Sequence, residues 1–211
     1  MKFTANETLS DYPTPEPGLC RATLQAWVDL GTQASNNPEY PDKRRFYLIW
    51  ELNQQRNDGK PFTTTMWINH SPAFHEKSKI RQLTESWRGK PFKAGESFDP
   101  AQAVGKSAML NITINDRGYA DVISVNPLPK GTEPLPLSEP PLYFDMDEPD
   151  SLDNFERVQE SIQNRITSSP EWADLANPTV LPPELKAIPS AKNEMLAAAA
   201  ATADFDDPLP F

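Results

Sequence analysis

Residues able to do covalent or metal chemistry are few in this chain, and their spacing defeats most of it. There is one cysteine, Cys20, and two histidines, His70 and His75. One thiol excludes an internal disulfide and a cysteine-cluster zinc site, and two histidines are too few for most histidine-based metal sites. Asp145, Asp147, Glu148 and Asp150 crowd four carboxylates together. They stand in a proline-flanked acidic stretch with no matching ligand motif, so they read as a solvated charge run. Gly105-Lys106-Ser107 has the ending of a phosphate loop, but Pro100, Ala101 and Gln102 stand where its upstream glycine is needed. The expectation is a non-enzymatic protein with no metal and no cofactor.

The groups that remain are flat rings and cations. Together they suit a flexible polyanion that carries bases, because rings stack on bases and cations meet phosphates. Trp27, Tyr47 and Trp67 alternate with apolar residues and fall among Arg, Thr and Gln. They are hard to explain as core and become the stacking candidates. Arg21, Lys43, Arg44, Arg45 and Lys60 form the best phosphate-contact group. Lys77, Lys79, Arg88 and Lys90 make a second basic run, expected on a different face. Phe46, Trp50 and Phe62 sit with aliphatic residues and read as core, as does Trp87.

The formal net charge of -10 argues against a polyanionic partner. Its distribution reverses that reading. Residues 1–135 carry 16 basic and 15 acidic side chains, whereas residues 136–211 carry 4 and 15. Residues 18–130 carry 15 and 11, a net of +4. The chain is a mildly basic body followed by a strongly acidic third, and such asymmetry is itself a signal. No apolar run approaches the ~18 residues that span a bilayer, and the first residues hold no apolar signal core. The expected setting is the cytoplasm, away from membranes.

The elements that must position these residues follow from periodicity. From residue 19, Cys20, Ala22, Leu24, Ala26, Val28 and Leu30 alternate with polar residues, which predicts a strand with one buried face. Residues 44–53 and 62–69 predict a hairpin around Asn57-Asp58-Gly59-Lys60. Ser71-Pro72 predicts a helix start, Ile80, Leu83 and Trp87 its buried stripe, and Gly89 with Pro91 its end. Residues 107–114 and 119–125 predict two more strands. Three strands, a helix and two strands match a five-stranded OB-fold barrel with one helix between strands three and four. Another small barrel or an α+β sandwich is the alternative.

After Pro127 frequent prolines predict an extended segment on the barrel or in solvent. Leu152, Phe155, Val158, Ile162 and Ile166 predict an amphipathic helix over 151–166, and Ser169-Pro170 a short second helix with Trp172. Four segments result. They are an extended arm (1–17), a barrel (18–130), a proline-rich extension with an amphipathic helix (131–176), and a disordered tether with an acidic tip (177–211).

The tip reads Asp204-Phe205-Asp206-Asp207-Pro208-Leu209-Pro210-Phe211. A terminal aromatic residue offers a ring and a carboxylate to one basic-rimmed apolar pocket. Pro210 lowers the ordering cost, and the aspartates steer the peptide toward basic surfaces. The tip resembles the terminal peptide of bacterial single-stranded DNA-binding proteins, Asp-Phe-Asp-Asp-Asp-Ile-Pro-Phe. Pro208 replaces its third consecutive Asp and Leu209 its Ile. The body segments Lys77-Ser78-Lys79-Ile80-Arg81, Glu85-Ser86-Trp87-Arg88-Gly89-Lys90-Pro91-Phe92 and Gly105-Lys106-Ser107 resemble a family of phage-encoded proteins found among replication and recombination genes. The resemblance implies a phage-encoded single-stranded DNA-binding protein in the host cytoplasm. Its tip would recruit replication, recombination or repair enzymes. Two alternatives stay open: a decoy that fills tip-binding pockets on host enzymes, and a recombination-mediating or annealing factor. RNA in place of DNA and oligomerisation also stay open.

Overall fold

Alternating strands with one apolar face need a second layer, and here the sheet meets one on each side. The computed structural model describes residues 13–35, 37–71 and 74–176. The tether and tip, with most of the N-terminal arm, lie outside the described residues. The chain is mainly β, with an open six-stranded sheet. In chain order come β1 (Gly18–Gln33), β2 (Lys43–Gln55), β3 (Pro61–Asn69), α1 (Lys79–Arg88), the single turn α2 (Pro100–Ala103), β4 (Ser107–Ile114), β5 (Ala120–Asn126) and β6 (Leu142–Phe144). A 3-10 helix (Pro149–Arg157), α3 (Glu160–Thr167) and α4 (Pro170–Ala176) follow. Antiparallel pairing gives the order β3-β2-β1-β4-β5, and β6 joins β1 in parallel. Ladder hydrogen bonds do not close β3 onto β5, but the Thr64 hydroxyl donates to the Ala120 carbonyl (2.8 Å) across that seam.

β1 departs from simple alternation. Its pairing with β2 slips between Leu24 and Ala26, leaving Gln25 as an extra residue. A bulge of this kind exchanges the two faces of the strand. Cys20, Ala22 and Leu24 therefore join the same apolar cluster as Trp27, while Ala26, Val28 and Leu30 point into a second cluster. The six residues expected on one face divide between two.

The first cluster is the sheet's inner core. Phe46, Leu48, Trp50, Leu52, Leu110 and Ile112 build it from the faces the alternation predicts. α1 seals it with Ile80 and Trp87, whose indole nitrogen donates to the Ser107 carbonyl (3.1 Å). This helix starts at Lys79, later than Ser71-Pro72 suggests, because Ser78 is the residue whose side chain caps the Arg81 amide. Gly89 ends it at φ +68, the left-handed conformation that glycine adopts without strain.

The second cluster lies on the opposite face of β1. Phe144, Met146, Val158, Ile162 and Ile166 pack there against Ala26, Val28 and Leu30. The single helix expected over 151–166 is instead two pieces. The turn breaks at Val158, whose backbone is extended (φ -72, ψ 138), so a 3-10 segment precedes α3. The proline-rich segment lies extended on the sheet, one of the two placements its composition allows. Leu135 exchanges hydrogen bonds with Thr23 and Ser107, and the buried Glu51 carboxylate accepts from the Ser138 amide (3.0 Å). Three residues past Pro141 with free amides then form β6, an element that proline frequency alone hides. No described helix is long and apolar enough to cross a membrane.

Candidate nucleic-acid interface

Odd-numbered residues of β2 face away from the inner core, and this puts Lys43, Arg45, Tyr47 and Ile49 on one surface. β3 adds Trp67 directly opposite Tyr47 in the ladder. Cross-strand neighbours approach closely enough for ring contact, and these two rings meet edge to face at 5.0 Å. Tyr47 is half-buried because the second cluster reaches it. Trp67 keeps 41% of its surface exposed, an unusual state for the largest side chain.

α3 overlooks this pair from the far side of a cleft of about 710 Å³. The Arg165 guanidinium lies 5.0 Å from the Trp67 ring centroid. Arg45, Thr32, Gln33 and Ser168 complete the walls with Ala34. Gln33 ties the floor to the helix by donating to the Arg165 carbonyl (3.0 Å). The Arg45 Nε is buried without a hydrogen-bond partner. The surface therefore sets a partly exposed ring, with Arg165 resting over it, beside the guanidinium of Arg45.

Trp27 is a correction. It is fully buried against Phe46 (5.5 Å) and Phe98 (5.8 Å), because the Gln25 bulge turns it inward. Arg44 is a second correction. Its guanidinium binds the fully buried Asp29 carboxylate and also Asp145 and Asp147, so its charge is consumed inside the protein. Burial alone would lower its pKa, but the hydrogen bonds to Asp29 and Asp147 push it well above the usual arginine value. Arg88 is a third. It pairs with Glu96 and lies 4.0 Å over the Phe92 ring. Burial pushes the Glu96 carboxyl up, but the Lys93 amide and Arg88 outweigh it and hold the group low.

Arg21 donates to the Glu133 carbonyl (3.1 Å) and so holds the extension. Lys60 is exposed in the β2–β3 turn. About ten residues of β2, roughly 30 Å, separate it from Arg45, so the two do not share a site. Lys77 and Lys79 are exposed at the start of α1, and Lys90 follows its end. That helix packs on the inner core, so these lysines belong to a different side from Tyr47. The residues brought together are Lys43, Arg45, Tyr47 and Trp67. Arg165 and Ser168 went unseen in the sequence, since nothing local tells which strand a helix will face.

Among the described residues no cluster of His, Cys, Asp and Glu could hold a metal ion. The Cys20 thiol is buried, which pushes its pKa up and leaves it a core residue. No protein-family model matches the chain, and no curated protein matches it significantly.

Proposed function

We propose that the protein is a non-enzymatic single-stranded DNA-binding protein of phage type, built on an OB-fold and acting in the cytoplasm of a bacterial host. The observation that carries this reading is Trp67, an exposed ring braced by Tyr47 and bordered by cations on the outer face of β2 and β3. That face is the usual ligand surface of an OB-fold. The strand order β3-β2-β1-β4-β5, the helices between β3 and β4, and the Thr64–Ala120 contact across the open seam support such a barrel. Stacking tolerates any base, so the protein coats a strand with few sequence preferences. The peptide 204–211 then recruits replication, recombination or repair enzymes.

Titration with oligothymidylate tests the reading. Tryptophan fluorescence is quenched on binding, and affinity falls with added salt. A chain lacking residues 204–211 binds the oligonucleotide equally or more tightly and no longer captures partner enzymes. Absence of quenching and of any salt-sensitive binding rejects the DNA reading in favour of an interaction protein that uses the tip alone.

A further inference from the structure

We propose that the cleft between the β2–β3 face and α3 holds one nucleotide of the bound strand, with its phosphate gripped between Arg45 and Arg165 and its base on Trp67. This rests on the single-strand reading above and assigns the C-terminal extension a direct part in binding.

The argument begins with charge pairing. Arg44, Arg56, Arg81 and Arg88 each pair with a carboxylate. Arg45 and Arg165 pair with none among the described residues, and both line this one cleft. Two guanidinium groups beside one cavity repel each other unless an anion lies between them. Arg45 reaches the cleft from β2 and Arg165 from α3, so a guanidinium stands on each wall. A phosphodiester has two free oxygens and one charge, which suits the planar fork of an arginine. The size of the cleft, about 710 Å³, lies within the range of small-molecule sites.

Trp67 supplies the second half of the recognition. In the free protein Arg165 rests over its ring. An arriving phosphate offers the guanidinium a charge-assisted bond that is stronger than an exposed cation–π contact. The side chain turns toward the phosphate and frees ring surface for a base. α3 itself stays in place, held by Gln33 on the Arg165 carbonyl and by Ile162 and Ile166 in the second cluster.

The test uses the full chain with Arg165→Ala, Arg165→Lys and Trp67→Ala, and reads anisotropy of a labelled oligothymidylate across a salt series. Arg165→Ala weakens binding about tenfold, about 1.4 kcal/mol. Its log–log salt slope shrinks by about 0.7, one phosphate contact on a single strand. Arg165→Lys keeps the slope and loses only part of the affinity. Unchanged or tighter binding by Arg165→Ala overturns the pocket, as does weaker binding with an unchanged slope. If Trp67→Ala weakens binding while Arg165→Ala does not, the pocket fails alone. If the unmodified protein binds no oligonucleotide, the DNA reading fails and the pocket falls with it.

Discussion

The guanidinium of Arg44 closes over the carboxylate of Asp29, which has no exposed surface. Its Nε donates to both Asp29 oxygens at 3.1 and 3.2 Å. The same carboxylate accepts from the Gly31 amide (2.9 Å) and from the Met146 amide (3.3 Å). One buried charge thus fastens β1, β2 and the chain beyond β6. Removing the cation strands that charge, so Arg44→Ala is expected to lose about 3–5 kcal/mol in urea unfolding. Oligonucleotide affinity, measured where the variant is still folded, stays at the unmodified level.

Trp67 and Trp27 separate binding from stability. Trp67→Ala weakens oligonucleotide binding by about 1–3 kcal/mol, the worth of one stacked base, with little change in the unfolding midpoint. Trp27→Ala empties a buried site and costs about 3–5 kcal/mol of stability. Trp67→Phe removes most of the fluorescence quenching, and Trp27→Phe retains it. Measuring quenching and denaturation on both variants checks the assignment.

Much of the sheet was legible because β2, β3 and β4 keep strict alternation, and their inward residues are those the pattern names. Ser169-Pro170 correctly announced α4, where the Ser169 hydroxyl accepts from the Trp172 amide (3.2 Å). Trp27 was misplaced because a bulge is a property of two paired strands and leaves no mark in one. Arg44 was misread because Asp29, Asp145 and Asp147 reach it from distant parts of the chain. The polar neighbours of Tyr47 and Trp67 put both rings on the outer face, and the amphipathic stripe announces a helix over 151–166, yet the docking of α3 beside them is not legible, since it depends on a face that β1 acquires only through its bulge.

Glu171 supplies a pH-dependent link between α4 and β1. Its carboxylate accepts from the Thr32 amide (2.8 Å) and hydroxyl (2.6 Å). Burial pushes its pKa up, but these hydrogen bonds outweigh it and hold the group below the usual glutamate value. A lowered folded-state pKa contributes stability above the unfolded value and loses it as pH falls through the folded one. Glu171→Gln is expected to be less stable at neutral pH by about 1 kcal/mol, discounted for its partial exposure. The difference shrinks below the ordinary glutamate pKa and vanishes in strong acid. Urea midpoints of both proteins along a descending pH series check it.

Gly31 admits no side chain. Its φ is +67, and an added Cβ would lie 2.5 Å from the Ser169 Cβ at the start of α4. Gly31→Ala is expected to destabilise the protein by roughly 1–3 kcal/mol through backbone strain and overpacking. Limited proteolysis should then cut the chain around residues 167–176 before the sheet.

β6 has a consequence during synthesis. β1 is paired along one edge by β2, and along the other by β4 up to Thr23 and by β6 from Ala26 to Val28. Ribosomes add about 5–20 residues per second, so Phe144, the last residue of β6, follows Gln33 by roughly 6–22 s. Through that interval the newborn strand carries a bare hydrogen-bonding edge beside the uncovered side chains of Ala26, Val28 and Leu30. Such an edge can capture a neighbouring nascent chain. Slower translation between these two points lengthens the time for which that edge stands open.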